Sequence, residues 1–241
     1  MYSDVVDLQE FYDSLLGQTA RRVLRAQVRA IWPNLAGERV LALGYAVPLL
    51  RGWAQDASTL AAMMPAEQGV AYWPREGPNI STLVDPANLP LADQSVDRVI
   101  VMHGLEGASA PQALLREIWR VMRGQGRLLM IVTNRRGLWA RKDGTPFGIG
   151  RPYSSFQIKD FLREQGFLAE RVWQALYVPP TTSRLVLSMA DGFERYGRAC
   201  FPGFGGALML EAGKQIFAPT RRSFSSRKLV VSLPALEPAS S

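Results

Sequence analysis

Residues 83–106 read LVDPANLPLADQSVDRVIVMHGLE. Two apolar runs bracket a polar connection. The first, residues 80–84, ends at Asp85. The second, Asp97–Met102, is almost continuously apolar and reads as a strand buried on both faces, as in a parallel sheet. Between them lie the pair Leu89 and Pro90, an acidic turn at Asp93, and the step Ser95-x-Asp97. Residues 114–132, LLREIWRVMRGQGRLLMIV, continue the pattern. Leu114, Leu115, Ile118 and Val121 share one face of a helix over 111–122, Gly124 and Gly126 end it, and residues 127–133 form the next strand.

Working outward, residues 39–43 form a short strand that runs into Gly44. A helix is expected over 46–54, with Pro48 in its first turn. A further strand covers 59–63 and stops at Pro65, and residues 68–79 read as loop or weak strand. Downstream, a helix over 154–165 is capped by Ser154 or Ser155 and stopped by Gly166. Strands follow at 167–172, 207–211 and 228–233. Residues 4–31 read as one amphipathic helix, with Val5, Leu8, Phe11, Tyr12 and Leu15 at helical spacing and Arg21, Arg22, Arg25 and Arg29 in its second half. The alternation of strand and helix from 39 to 172 predicts an α/β, Rossmann-like fold: a mostly parallel sheet with helices on both faces and an antiparallel edge. The expected organisation is a single domain over 1–233, made of a helical cap (1–36), a core (37–178) and C-terminal strands (179–233), followed by a flexible tail at 234–241.

Composition narrows the function. One cysteine, Cys200, and one histidine, His103, exclude a disulfide framework and argue against a metal centre. No uninterrupted apolar run reaches the ~18 residues that a membrane span needs, and the acidic N-terminus does not read as a secretory signal, so a cytoplasmic location is expected. The net charge of +7 comes almost wholly from arginine. It favours anionic partners in general, but no nucleic-acid motif accompanies the short basic clusters, which read as solvated surface. Oligomeric state is not legible.

The two blocks quoted above resemble the class I S-adenosylmethionine-dependent methyltransferases, type 11 in particular. The resemblance runs from Arg39 to about Val178, and residues 205–218, GGALMLEAGKQIFA, resemble that fold's final strand pair. The loop Gly44-Tyr45-Ala46, followed by the turn Leu89-Pro90-Leu91, is similar to the pattern of a divergent bacterial subgroup. The resemblance implies a seven-stranded, mostly parallel sheet and S-adenosylmethionine as cofactor. Ligands of such sheets lie at the carboxyl ends of the strands, where strand order reverses.

The resemblance makes Gly44, Tyr45, Ala46, Asp85, Pro86 and His103 the candidate cofactor contacts, with Tyr45 and Trp73 available to stack on an adenine ring. His103, at the end of the fourth strand, is also the candidate general base. Asn134, Arg135, Arg136 and Tyr153 flank an arginine-bearing loop, 137–152, that reads either as a lid over an anionic small-molecule substrate or as a solvated loop. The chain also departs from the family. Ala42, Ala46 and Pro48 stand where an acid and two glycines are usual. Met63 and Met64 stand where a ribose-binding acid is usual, leaving Glu67 as the nearest carboxylate. Pro86 removes a backbone donor. Two main readings stay open: a methyltransferase acting on a small molecule, and a non-catalytic binding or regulatory protein that keeps the fold; a third, an RNA-associated protein, rests only on the basic charge.

Overall fold

In a computed structural model, residues 2–53 and 55–215 are described. Seven strands form one sheet: β1 (Arg39–Gly44), β2 (Thr59–Pro65), β3 (Ser81–Val84), β4 (Val96–Met102), β5 (Met122–Thr133), β6 (Phe167–Ala175) and β7 (Ala207–Lys214). Their order is β3-β2-β1-β4-β5-β7-β6. The first five are parallel, and β7 runs antiparallel between β5 and β6. Strand order reverses between β1 and β4, which puts the switch point beside Gly44 and His103. The strand expected at 228–233 and the tail at 234–241 lie outside the described residues.

Alternation along β1 assigns the two cores. Val40 and Ala42 face one cluster, packed under α1 (Val5–Asp13) and α2 (Leu15–Ile31); Leu41 and Leu43 face the other, under α4 (Pro111–Val121) and α5 (Ser155–Glu164). The motif around residues 89–97 is a scaffold of ion pairs. Arg120 donates to the carbonyls of Leu89 and Leu91 and to the carboxylates of Asp93 and Glu117. Asp97 accepts from the backbone N–H and the side chain of Arg39, and from Arg123. These contacts lash the amino end of β4 to β1 and α4, at the opposite end of the strands from the crevice.

The structure corrects several sequence expectations. The single helix over 4–31 is broken at Ser14, whose backbone N–H closes α1 while its hydroxyl accepts from Gly17 and caps α2. The helix expected over 46–54 is only the four-residue α3 (Val47–Leu50), and no helix lies between β2 and β3. Residues 184–200 are not strand but two helices, α6 (Arg184–Ser188) and α7 (Ala190–Cys200).

Candidate functional site

The crevice at the switch point is covered by the chain's own N-terminus. Gly44 ends β1 at φ +71°, and a Cβ there would stand 2.4 Å from the carbonyl oxygen of Met102. The glycine is therefore required by the close approach of β1 to β4. Tyr45 donates its N–H to that same carbonyl at 2.8 Å. Tyr45, Ala46 and Val47 are buried, and the Tyr12 ring stacks on Tyr45 with centroids 5.8 Å apart.

His103 follows β4 in the left-handed backbone region, at φ +53°. The Tyr12 hydroxyl meets its Nε2 at 2.8 Å, Gln68 donates to its carbonyl at 2.9 Å, and Phe147 packs edge-on against the ring. The sequence reading set His103 at the mouth of a cleft; the structure sets it beneath α1. Burial lowers its pKa to about 3. In this conformation only 6% of the residue is exposed, and Tyr12 occupies its Nε2, so no proton transfer with a substrate is set up.

That burial has a measurable consequence. The neutral imidazole is favoured in the folded chain, while the unfolded imidazole titrates near its ordinary pKa of about 6.5. The stabilisation is fully present above that value and is lost as the pH falls from there towards 3. In that window the single histidine contributes a slope of up to about 1.4 kcal/mol per pH unit. His103→Gln keeps a polar partner for Tyr12 and is expected to remove that slope. Denaturant titrations of both proteins between neutral pH and pH 4 measure it, and parallel curves would refute the assignment.

Beyond β5, the remaining candidates divide. Asn134 is buried and structural: its amide nitrogen donates to the carbonyls of Gly203 and Gly205, and its oxygen accepts from the N–H of Arg136. Arg135 and Arg136 are exposed; Arg135 donates to the Pro152 carbonyl, and Arg136 lies over the Phe204 ring. Tyr153 is half-buried and pairs through its backbone with Thr133 and Arg135. Loop 137–152 is not a solvated lid, because Trp139 and Phe147 anchor it in the core.

An opening survives nearby. Beside the carboxyl ends of β2 and β3 lies a cavity of about 310 Å³, walled among others by Glu67, Asp85, Pro86, Ser109 and Tyr2. Glu67 stands two residues past β2, yet it lines the same cavity as Asp85. Sequence reasoning named Glu67 as the nearest carboxylate, past the strand end, and it stands there. Asp85 is exposed, and one carboxylate oxygen accepts the N–H of Ala87. Towards the switch point the cavity is closed by Tyr2, whose hydroxyl donates to the Gly104 carbonyl at 3.1 Å. Glu106 went unnoticed in the sequence. It is buried, one carboxylate oxygen accepts from Thr133 and the other has no partner, and burial pushes its pKa up. Its position, four residues past a strand end, carries no signal that separates it from a surface acid.

Residues 44–130 match the family model of a methyltransferase domain. That match and the strand order above agree on a class I methyltransferase-like fold. Solved structures agree on the fold. An S-adenosylmethionine-dependent methyltransferase of Thermotoga maritima is 18% identical, with a TM-score of 0.59, covering 87% of this chain and 96% of that one. The [4+2]-cyclase SpnF is 21% identical, with a TM-score of 0.56 and 83% of each chain covered. A chain from the complex of the Haloferax volcanii Trm112 methyltransferase activator with a methyltransferase is 18% identical, with a TM-score of 0.57, covering 89% of this chain and 99% of that one. A search of curated proteins finds no match. The described helices include none long and apolar enough to cross a membrane.

The residues fit S-adenosylmethionine, the cofactor that the resemblance implies, in one half only. Glu67 and Asp85 offer carboxylates to the hydroxyls and amino group of an adenosyl moiety. The space over Gly44 and His103, where this fold would hold the methionyl part, is filled by Tyr2 and Tyr12.

Proposed function

We propose that this chain is an S-adenosylmethionine-dependent methyltransferase for a small molecule, one whose cofactor crevice opens only when α1 withdraws. The observation that carries the reading is the cavity shared by Glu67 and Asp85, inside the stretch that matches the methyltransferase domain. Bound cofactor would supply a methyl group on a cationic sulfur, and the chain's contribution is alignment of that methyl with its acceptor. The acceptor is taken to be anionic, with the exposed Arg135 and Arg136 beyond β5 as its contacts. No proton transfer is assigned to His103. The chain is taken to act in the cytoplasm.

The packing of Tyr2 and Tyr12 over the switch point favours the second reading, a non-catalytic protein that retains the fold. Thermal-shift and calorimetric titration with S-adenosylmethionine and S-adenosylhomocysteine separates the two. A ligand at 100 times its Kd stabilises the folded chain by about 2.7 kcal/mol. Methyltransfer predicts saturable stabilisation, weakened about tenfold by Glu67→Gln or Asp85→Asn and strengthened by Tyr2→Ala, which opens the cavity towards Gly104. Absence of any shift at millimolar ligand, in both the natural chain and Tyr2→Ala, would leave the non-catalytic reading.

A further inference from the structure

The shortness of α3 and the lack of a helix between β2 and β3 leave a second hollow on the flank of the sheet. It is a cavity of about 370 Å³ that shares no lining residue with the one at Glu67 and Asp85. Four guanidiniums line it: Arg21 and Arg25 from α2, Arg51 just past α3, and Arg75. Two carboxylates, Asp13 and Glu76, share the wall, and Asp13 is taken by Arg75 at 3.0 Å. Among the described residues, Arg21, Arg25 and Arg51 have no ion-pair partner.

Arg25 is the focus of the cluster. One terminal nitrogen donates to the Pro48 carbonyl at 2.6 Å, while its Nε is buried with no acceptor. Burial, and then the charges of Arg21, Arg29 and Arg51, lower its pKa. Crowded like charges around an unfilled buried donor oppose folding, and an anion seated among them would relieve both terms. Guanidinium forks match phosphate oxygens geometrically. The half-exposed Trp73 adds an aromatic wall beside the edges of Tyr12 and Tyr45, suited to stacking a planar ring. The sequence reading took the α2 arginines for a solvated face; the structure turns Arg21 and Arg25 inward onto this hollow.

We infer that the hollow is a binding site for a planar, phosphate-bearing ligand of nucleotide size, separate from the cavity at Glu67 and Asp85 and bordering the switch point through Tyr12 and Tyr45. The probe is adenosine 5′-monophosphate, titrated calorimetrically into the full chain. Saturable binding is expected. Arg51→Ala should weaken it about tenfold, the loss of one charge-assisted contact. That side chain is exposed, so the variant should retain the wild-type melting temperature. Adenosine, which lacks the phosphate, should bind at least tenfold more weakly, and Glu67→Gln should leave the monophosphate affinity within about twofold. Failure of the monophosphate to saturate at millimolar concentration would overturn the site, as would an Arg51→Ala affinity equal to wild type. Tight binding of a short single-stranded RNA without binding of the monophosphate would overturn it too. Loss of binding in Glu67→Gln alone would move the ligand to the adenosyl crevice, sinking this site and supporting the other.

Discussion

Trp139→Ala is expected to cost about 3–5 kcal/mol of folding stability and to lower the melting temperature by on the order of 10 °C. Trp139 is fully buried, and its indole N–H donates to the Val178 carbonyl at 2.8 Å. Its ring meets Phe147 edge-on at 5.2 Å and Phe11 at 6.5 Å. Gly206 lies against it so closely that a Cβ there would stand 2.3 Å from its ring. The substitution removes a large apolar surface, leaves a cavity and strands a carbonyl. Leu138→Ala, next door, changes a side chain that is 55% exposed and is expected to be near neutral. Denaturant unfolding of the two variants distinguishes an anchored loop from a lid. A Trp139→Ala protein within about 1 kcal/mol of wild type would mean that loop 137–152 contributes little to the core, and the lid would return.

The aromatic anchors explain why this loop was misread. Its glycines, prolines and arginines are the composition of a solvated connection, and Trp139 and Phe147 are single residues with no periodicity around them. Burial that depends on contacts far along the chain, here with Phe11, His103 and Val178, leaves no local pattern. The sheet was legible for the opposite reason. Each parallel strand is an apolar run bounded by breakers, and in the connection before β4 Asp93 and Asp97 are held by the ion pairs of Arg120, Arg39 and Arg123. Helices 184–188 and 190–200 were missed because Gly192 and Gly197 dilute a pattern that tertiary packing on α2 restores.

The site was legible in its parts and not in its assembly. Gly44, Tyr45, Asp85 and His103 were placed at the carboxyl ends of their strands, and they are there. What covers them could not be read. Tyr2 and Tyr12 lie about a hundred residues from Gly104 and His103, and the bend at Ser14 that lays α1 over the crevice looks like one more polar residue in a continuous helix. The same bend gives Gly17 its role, since a Cβ there would overlap the Phe11 carbonyl.

Gly44→Ala makes the competing accounts of the crevice measurable. If Gly44 exists to admit a cofactor, alanine should leave the ligand-free protein as stable as before and reduce only affinity for S-adenosylhomocysteine. The geometry predicts otherwise. At φ +71° an alanine carries a left-handed strain of about 1–2 kcal/mol. Its Cβ would also stand 2.4 Å from the Met102 carbonyl and 2.8 Å from the Gly104 Cα, both backbone atoms of the neighbouring connection. Relief requires β1 to part from β4, and that stretches the Tyr45 N–H bond to Met102 in the middle of the sheet. A loss of about 3 kcal/mol or more is therefore expected in the absence of any ligand, read by denaturant unfolding. The side chains of Tyr12 and His103, packed over the same strand ends, should loosen with it, so the pH slope assigned to His103 should flatten in this variant. A Gly44→Ala protein of wild-type stability that no longer binds S-adenosylhomocysteine would reverse the assignment and make the glycine a ligand contact after all.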